Sequence, residues 1–178
     1  FSVIGYSRRN LTNDDFHKMV QNSLNKYLVD LSPQSCHSFK NIFSYQQGKF
    51  ESLADYQKLA SRLSEIDKTW QTKANKLFYL AVPPNYYEGI LKRLAKSELT
   101  SSFGPKEGWR KILVEKPFGK NLDQARKLDN LLSLLFKDEQ IYPIDHYLAK
   151  EMLQNILTFR FTNNLFEDSW DNKSIEKI

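Results

Sequence analysis

Five short apolar runs alternate with amphipathic stretches, and this alternation limits the folds open to the chain. The runs are "FSVIGYS" (1–7), "FKNIFSYQ" (39–46), "KLFYLAV" (76–82), "RKILVEK" (110–116) and "QIYPI" (140–144). Each has the length of a strand. Between them, apolar residues recur at the three- and four-residue spacing of a helix face. Strands separated by helices cannot be joined by hairpins, so a mostly parallel sheet is expected. "KLFYLAV" is nearly continuous in apolar character, as a central parallel strand is when both its faces are covered. Pro143 weakens the last run and predicts an edge strand.

Capping pairs mark where the helices begin. Thr12 with Asp15, Ser52 with Asp55, Asn85 with Glu88, and Asn121 with Gln124 each place a polar side chain three residues from a second one. That spacing lets side chains meet the free N–H groups of a first helical turn. After Ser52 the stripe Leu53, Tyr56, Leu59, Leu63, Ile66 predicts one buried face, and after Asn121 the stripe Leu122, Ala125, Leu128, Leu132, Leu135 predicts another. The helix after Asn85 is expected to reach about Leu99. A last, long helix is expected from His146 to about Asn163. "TSSFGPKEG" (100–108) reads as a loop.

Composition excludes several function classes. The 178 residues carry a formal charge of +5, with the cations spread along the chain rather than gathered. This suits a small anionic ligand, and no nucleic-acid partner is expected. No stretch approaches the roughly 18 consecutive apolar residues of a membrane span, so no membrane partner is expected either. Cys36, the single cysteine, has no neighbours at metal-ligand spacing and cannot form an internal disulfide. No metal is expected, and the lone thiol together with the lack of a signal peptide predicts a cytoplasmic location.

In parallel α/β sheets, ligands bind beyond the carboxyl ends of the strands. Three such places hold chemistry. Arg8 and Arg9 follow the first run, in "GYSRRNLT". In a dinucleotide fold an arginine after the second strand accommodates an adenosine 2′-phosphate, where an acid would favour NAD. Two solvated surface arginines would give the same pattern. Lys116 and Pro117 end the fourth run, in "VEKPFGKN", where proline holds the loop in one shape and the ammonium can reach a hydroxyl or an amide. Plain turn chemistry also accounts for them. Asp145, His146 and Lys150 follow the fifth run. Asp145 falls where a helix N-cap would sit. His146 and Lys150, four residues apart, would share the first turn of a helix, where free N–H groups favour an anion.

No glycine-rich dinucleotide turn, P-loop or nucleophile elbow is present among the six glycines. The chain starts at Phe1 inside an apolar run and closes in "NKSIEKI". It is therefore expected to be a piece of a longer protein that begins at the second strand of its domain.

The motifs "VIGYSRRNLTNDDF", "FYLAVPP", "ILVEKPFGKNL" and "IDHYLAKEMLQNILTFRFTNNLFEDSW" together resemble the glucose-6-phosphate dehydrogenase family, in order and spacing and over essentially the whole chain. The resemblance implies a Rossmann-like, doubly wound α/β fold, here incomplete. An NADP-binding domain would cover 1–151, without its first strand and glycine-rich turn. The start of an α+β substrate domain would cover 152–178. It implies oxidation of glucose 6-phosphate at C1, with hydride passing to NADP, in a homodimeric or homotetrameric parent. Arg8 would meet the 2′-phosphate, with Arg9 nearby. Lys116 would lie between sugar and cofactor, and Pro117 would set the cofactor pose. His146 and Lys150 would hold the sugar phosphate, and Asp145 would orient a base histidine beyond residue 178. The fragment alone is expected to be inactive. Ala149 stands where the family usually has glycine. His17 and His37 match no family motif. Another dinucleotide-dependent sugar oxidoreductase, or a non-catalytic phosphate-binding module, remains open on the residues alone, and the flanking coding sequence would separate them.

Overall fold

The computed structural model describes residues 1–27, 32–101, 108–145, 150–163, 170 and 174. Its elements begin where the capping chemistry is strongest. The Thr12 N–H donates to Asp15 Oδ2 at 3.0 Å, and the Asp15 N–H donates back to Thr12 Oγ1 at 3.1 Å. This reciprocal pair opens α1 (Asn13–Tyr27), after β1 (Val3–Ser7). Helix α2 (Pro33–Asn41) follows, capped by Ser32 with Pro33 in its first turn, and then β2 (Phe43–Gln47). The strand expected over 39–46 thus begins only at Phe43, and residues 39–41 belong to α2. Ser32 and Pro33 form a helix start that outweighs the apolar character of Phe39.

Ser52 accepts the Asp55 N–H and starts α3 (Leu53–Thr69). Tyr56 and Leu59 are buried as the stripe predicts, but Leu53, at the solvent-facing start of the helix, is exposed. Next come β3 (Lys76–Leu80), a 3-10 turn at Pro84–Tyr86, and α4 (Tyr87–Lys96). The expected Asn85 cap is not made. The 3-10 turn runs directly into α4, and the Tyr87 N–H is already taken by Pro84 O. Strand β4 (Arg110–Glu115) leads to α5 (Leu122–Leu135), capped by Asn121. On α5, Leu128 and Leu132 are buried while Leu122 is exposed. Strand β5 (Ile141–Ile144) and α6 (Glu151–Thr162) close the order.

Every strand pairing is parallel, in two sheets: β1 with β2, and β3–β4–β5. Strand β5 is at an edge, as Pro143 predicts. Strand β3 is at the other edge of its sheet and not central, and its Leu77 and Tyr79 are exposed. Apolar continuity reports composition, not neighbours. Between β1 and β3 lies a cavity of about 290 Å³, lined by Ile4 and Tyr6 from one side, Phe78 and Leu80 from the other, and Phe50 and Tyr56.

The core lies on one face of the larger sheet. Ile112 and Val114 of β4 are fully buried against Tyr87 and Leu91 of α4 and Leu128 and Leu132 of α5. No residue of α6 belongs to this cluster. At the amino end of β3, the Lys76 ammonium is 2.7 Å from Asp67 Oδ2 and 2.9 Å from Oδ1, with both side chains about nine-tenths buried. The pair ties the end of α3 to the start of β3.

Candidate functional site

Because all strands are parallel, the residues after them line one edge of the molecule. After β1, the backbone of residues 7–9 is fixed from below by a buried phenol. The Tyr45 hydroxyl lies 2.5 Å from the Arg9 carbonyl and 3.0 Å from the Ser7 carbonyl, and it shares a hydrogen bond with Ser7 Oγ at 2.8 Å. The Arg9 N–H donates to Ser7 Oγ at 3.3 Å, and Gln47 Nε2 donates to the Arg8 carbonyl at 3.4 Å. Both arginine side chains stay exposed on this anchored turn. Arg8 Cζ lies 6.0 Å from the centroid of the Tyr86 ring, which follows β3.

After β4 and β5 the chain brings Lys116 and Asp145 together, with Nζ 3.2 Å from Oδ2. The Lys116 N–H donates to the Ile144 carbonyl at 3.2 Å, extending the β4–β5 ladder by one bond and holding the two residues side by side. The Lys116–Pro117 peptide is cis. Just below, the Tyr79 hydroxyl donates to the Glu115 carboxylate, and this bond raises the Tyr79 pKa above the usual phenol range. The buried Tyr87 hydroxyl donates to the Glu115 carbonyl at 3.2 Å, and burial likewise raises its pKa.

Asp145 is an ion-pair partner at the end of β5, and the helix start expected after it, at residues 146–149, lies outside the described residues. The cap of α6 is Lys150, with an extended backbone at φ −73°, ψ 126°, whose carbonyl accepts the Leu153 and Gln154 N–H groups. Helix α6 starts at Glu151, and Lys150 before it has an extended backbone; the expected placing of His146 and Lys150 on one helical turn involves residues outside the described ones. His146 and Ala149 lie outside the described residues. His17 Nε2 lies 2.7 Å from the Phe43 carbonyl, a structural contact in keeping with its having no assigned role. Among the described residues no cluster of His, Cys, Asp and Glu has the form of a metal site, and no helix is long and apolar enough to cross a membrane.

Tyr45, Tyr79, Tyr86 and Glu115 are site-edge residues that sequence reasoning missed. Tyr45 and Tyr86 reach the arginine turn from other elements, which no local pattern reveals.

Parallel strands with helices between them, and cationic groups collected at the carboxyl edge, define a dinucleotide-binding α/β domain of the Rossmann kind. Residues 1–155 match the family described as glucose-6-phosphate dehydrogenase, NAD binding domain, and the chain belongs to that family. It is 33% identical over 181 residues to glucose-6-phosphate 1-dehydrogenase of Chlamydia muridarum, covering 100% of this chain and 36% of the relative. It is 36% identical over 176 residues to glucose-6-phosphate 1-dehydrogenase 2 of Mus musculus, covering 97% of this chain and 32% of the relative. A solved glucose-6-phosphate dehydrogenase in complex with its substrate glucose-6-phosphate superposes with a TM-score of 0.78 at 31% identity, covering 97% of this chain and 35% of that one. The chain thus spans about a third of the length of these relatives.

Proposed function

We propose that the protein to which these residues belong oxidises glucose 6-phosphate at C1 to 6-phosphogluconolactone with NADP as acceptor, the entry step of the oxidative pentose phosphate pathway. The observation that carries this reading is the Lys116–Asp145 pair at the ends of adjacent strands, 3.2 Å apart, in a chain of this family. The dinucleotide supplies the hydride acceptor. The protein must supply a base, because hydride leaves C1 only as its hydroxyl loses a proton. In our reading Asp145 orients a histidine base from the rest of the protein, fixing its tautomer and stabilising its charged form, as carboxylates do in hydrolase triads. Lys116, half exposed beside it, donates to the sugar hydroxyl or the cofactor amide. Pro117 shapes the loop under the nicotinamide. His146 and Lys150 hold the sugar phosphate.

The arginine turn fits a 2′-phosphorylated dinucleotide. Two exposed guanidinium groups stand on a backbone anchored by Tyr45, where an acid would select NAD. Arg8 is the 2′-phosphate ligand in this reading, with Arg9 beside it. We read the slot between β1 and β3 as the seat of a further parallel strand, the one that carries the glycine-rich turn in this family. The cofactor domain runs to about residue 151, and α6, absent from the core, opens the substrate domain. A cytoplasmic homodimer or homotetramer completes the proposal.

The test is NADPH formation by the full-length parent with glucose 6-phosphate, with glucose as control sugar. A Lys116→Ala variant should lose most of this activity. Turnover of other sugars in preference to glucose 6-phosphate, or none at all with any sugar, would overturn the reading.

A further inference from the structure

The arginine turn does not act alone. We propose that Tyr86 is a positioning residue for nucleotide specificity. Its ring holds the Arg8 guanidinium in place, so discrimination for a 2′-phosphorylated nucleotide depends on Tyr86 as well as on Arg8. The inference rests on the assignment of Arg8 made above.

A free arginine samples many rotamers and loses them when it binds an anion. Arg8 lies over the Tyr86 ring at 6.0 Å, within cation–π range. A guanidinium stacked on a ring through its flat face keeps its in-plane N–H fork for a phosphate, and this is the arrangement the proposal requires. Part of the ordering is then done before the ligand arrives.

Tyr86 is itself held. Its ring meets Phe50 edge-on at 5.6 Å and 66°. Phe50 lies 6.4 Å from Tyr6, and Tyr6 lies 5.5 Å from Tyr56, a core residue only 2% exposed. A row of four rings therefore runs from the core to the arginine. Gly48 keeps the row open, because a Cβ there would run into the Tyr6 ring. At the far end, Pro83 and Pro84 fix the backbone before Tyr86, and the Tyr86 N–H donates to the Pro83 carbonyl at 3.0 Å.

The experiment measures equilibrium dissociation constants of adenosine 2′,5′-bisphosphate and of AMP by calorimetry, on the full-length protein. Tyr86→Ala should weaken the bisphosphate about two- to fivefold and leave AMP unchanged. Tyr86→Phe keeps the ring face and should bind both as the wild type does. Tyr86→Leu keeps the apolar contact with Phe50 without the ring face and should behave as Tyr86→Ala, even if the alanine variant folds poorly. In an Arg8→Ala background, the Tyr86 substitutions should have no further effect on the bisphosphate. If Arg8→Ala is selective for the bisphosphate but Tyr86→Leu is not, the Tyr86 proposal fails and the Arg8 assignment stands. If Arg8→Ala weakens both ligands equally, the Arg8 assignment fails and takes the proposal with it.

Discussion

The ammonium of Lys116 lies 3.2 Å from the carboxylate of Asp145, joining the residues that leave β4 and β5. Both groups are substantially exposed, so the pair contributes little to stability, on the order of 1 kcal/mol or less. Its position at the carboxyl edge makes its effect on chemistry the larger one. Asp145→Asn should lower kcat of the full-length enzyme by about a hundredfold or more, the usual scale of acid–base assistance. The same change should leave the melting temperature almost unmoved. Loss of activity that tracks a lower melting temperature would make the pair structural.

Lys150 occupies the N-cap position of α6 with an extended backbone, and in the reading proposed above its positive charge meets the sugar phosphate. A dianionic sugar phosphate gains from that charge, and an uncharged sugar does not. Lys150→Ala should raise KM for glucose 6-phosphate by roughly ten- to a hundredfold, from a charged hydrogen bond of about 1.5–3 kcal/mol, with little change for glucose. Comparison of kcat/KM for both sugars in wild type and variant decides it. An equal fall for both would remove Lys150 from the phosphate site.

Asp67 and Lys76 form a nearly buried ion pair, and Asp67 also accepts the Ala74 N–H at 3.1 Å. Asp67→Ala leaves the ammonium buried without this partner, and should destabilise by about 3–5 kcal/mol. Replacing both residues together, as Asp67→Leu with Lys76→Met, should cost much less, because no charge is then stranded. Urea denaturation of the single and double variants measures the difference. Equal losses would show that the pair is solvated and replaceable.

Three carboxyls have pKa values held below their ordinary values of 3.8 for aspartate and 4.5 for glutamate. Asp15 is held down by its hydrogen bond with Thr12, Asp55 by the Lys49 N–H, and Glu88 by Lys92. Since the folded values lie below the unfolded ones, the unfolded chain binds more protons in this window. Their contribution is complete above the ordinary values and is lost as pH falls through the depressed ones. Urea midpoints should therefore decline from about pH 5 to about pH 3, and Asp15→Asn or Asp55→Asn should flatten that decline. An unchanged slope in both variants would contradict the assignment. Added salt should weaken the Glu88–Lys92 part most, as that pair is the most exposed of the three.

Legibility in the sequence followed the range of the interactions. The Thr12–Asp15, Ser52–Asp55 and Asn121–Gln124 caps are local, and all three form. The position of Arg8, Lys116 and Asp145 just after strands was readable from the alternation of the elements. Helix α2 was missed because "SPQSCHSFK" is short and polar, although Ser32 before Pro33 was a usable signal. The edge position of β3 in this chain depends on which strands are present to pair, and the further strand proposed above for the slot would give β3 a neighbour on each side. Tyr45 reaches the Arg9 carbonyl from 36 residues away, a relation that periodicity does not carry. The helix expected from His146 is not helical at Lys150, whose backbone is extended, because propensity alone does not fix a first turn.

The slot between β1 and β3 also governs how the molecule comes apart. Among the described residues no backbone hydrogen bond bridges the two sheets, which meet through the Tyr6, Phe50, Tyr56 and Tyr86 rings. A seam of side chains opens at lower free energy than a strand ladder. In this chain by itself, amides of β1 and β2 should therefore exchange with solvent through partial openings, while those of β4, paired on both sides, wait for global unfolding; the further strand proposed above for the slot would bridge the seam with a ladder. Arg8 stands on the early-opening piece, and Lys116 on the late one. A nucleotide gripped at both ends would act as a clasp across the seam, slowing exchange in β1 and β2 far from any atom it touches.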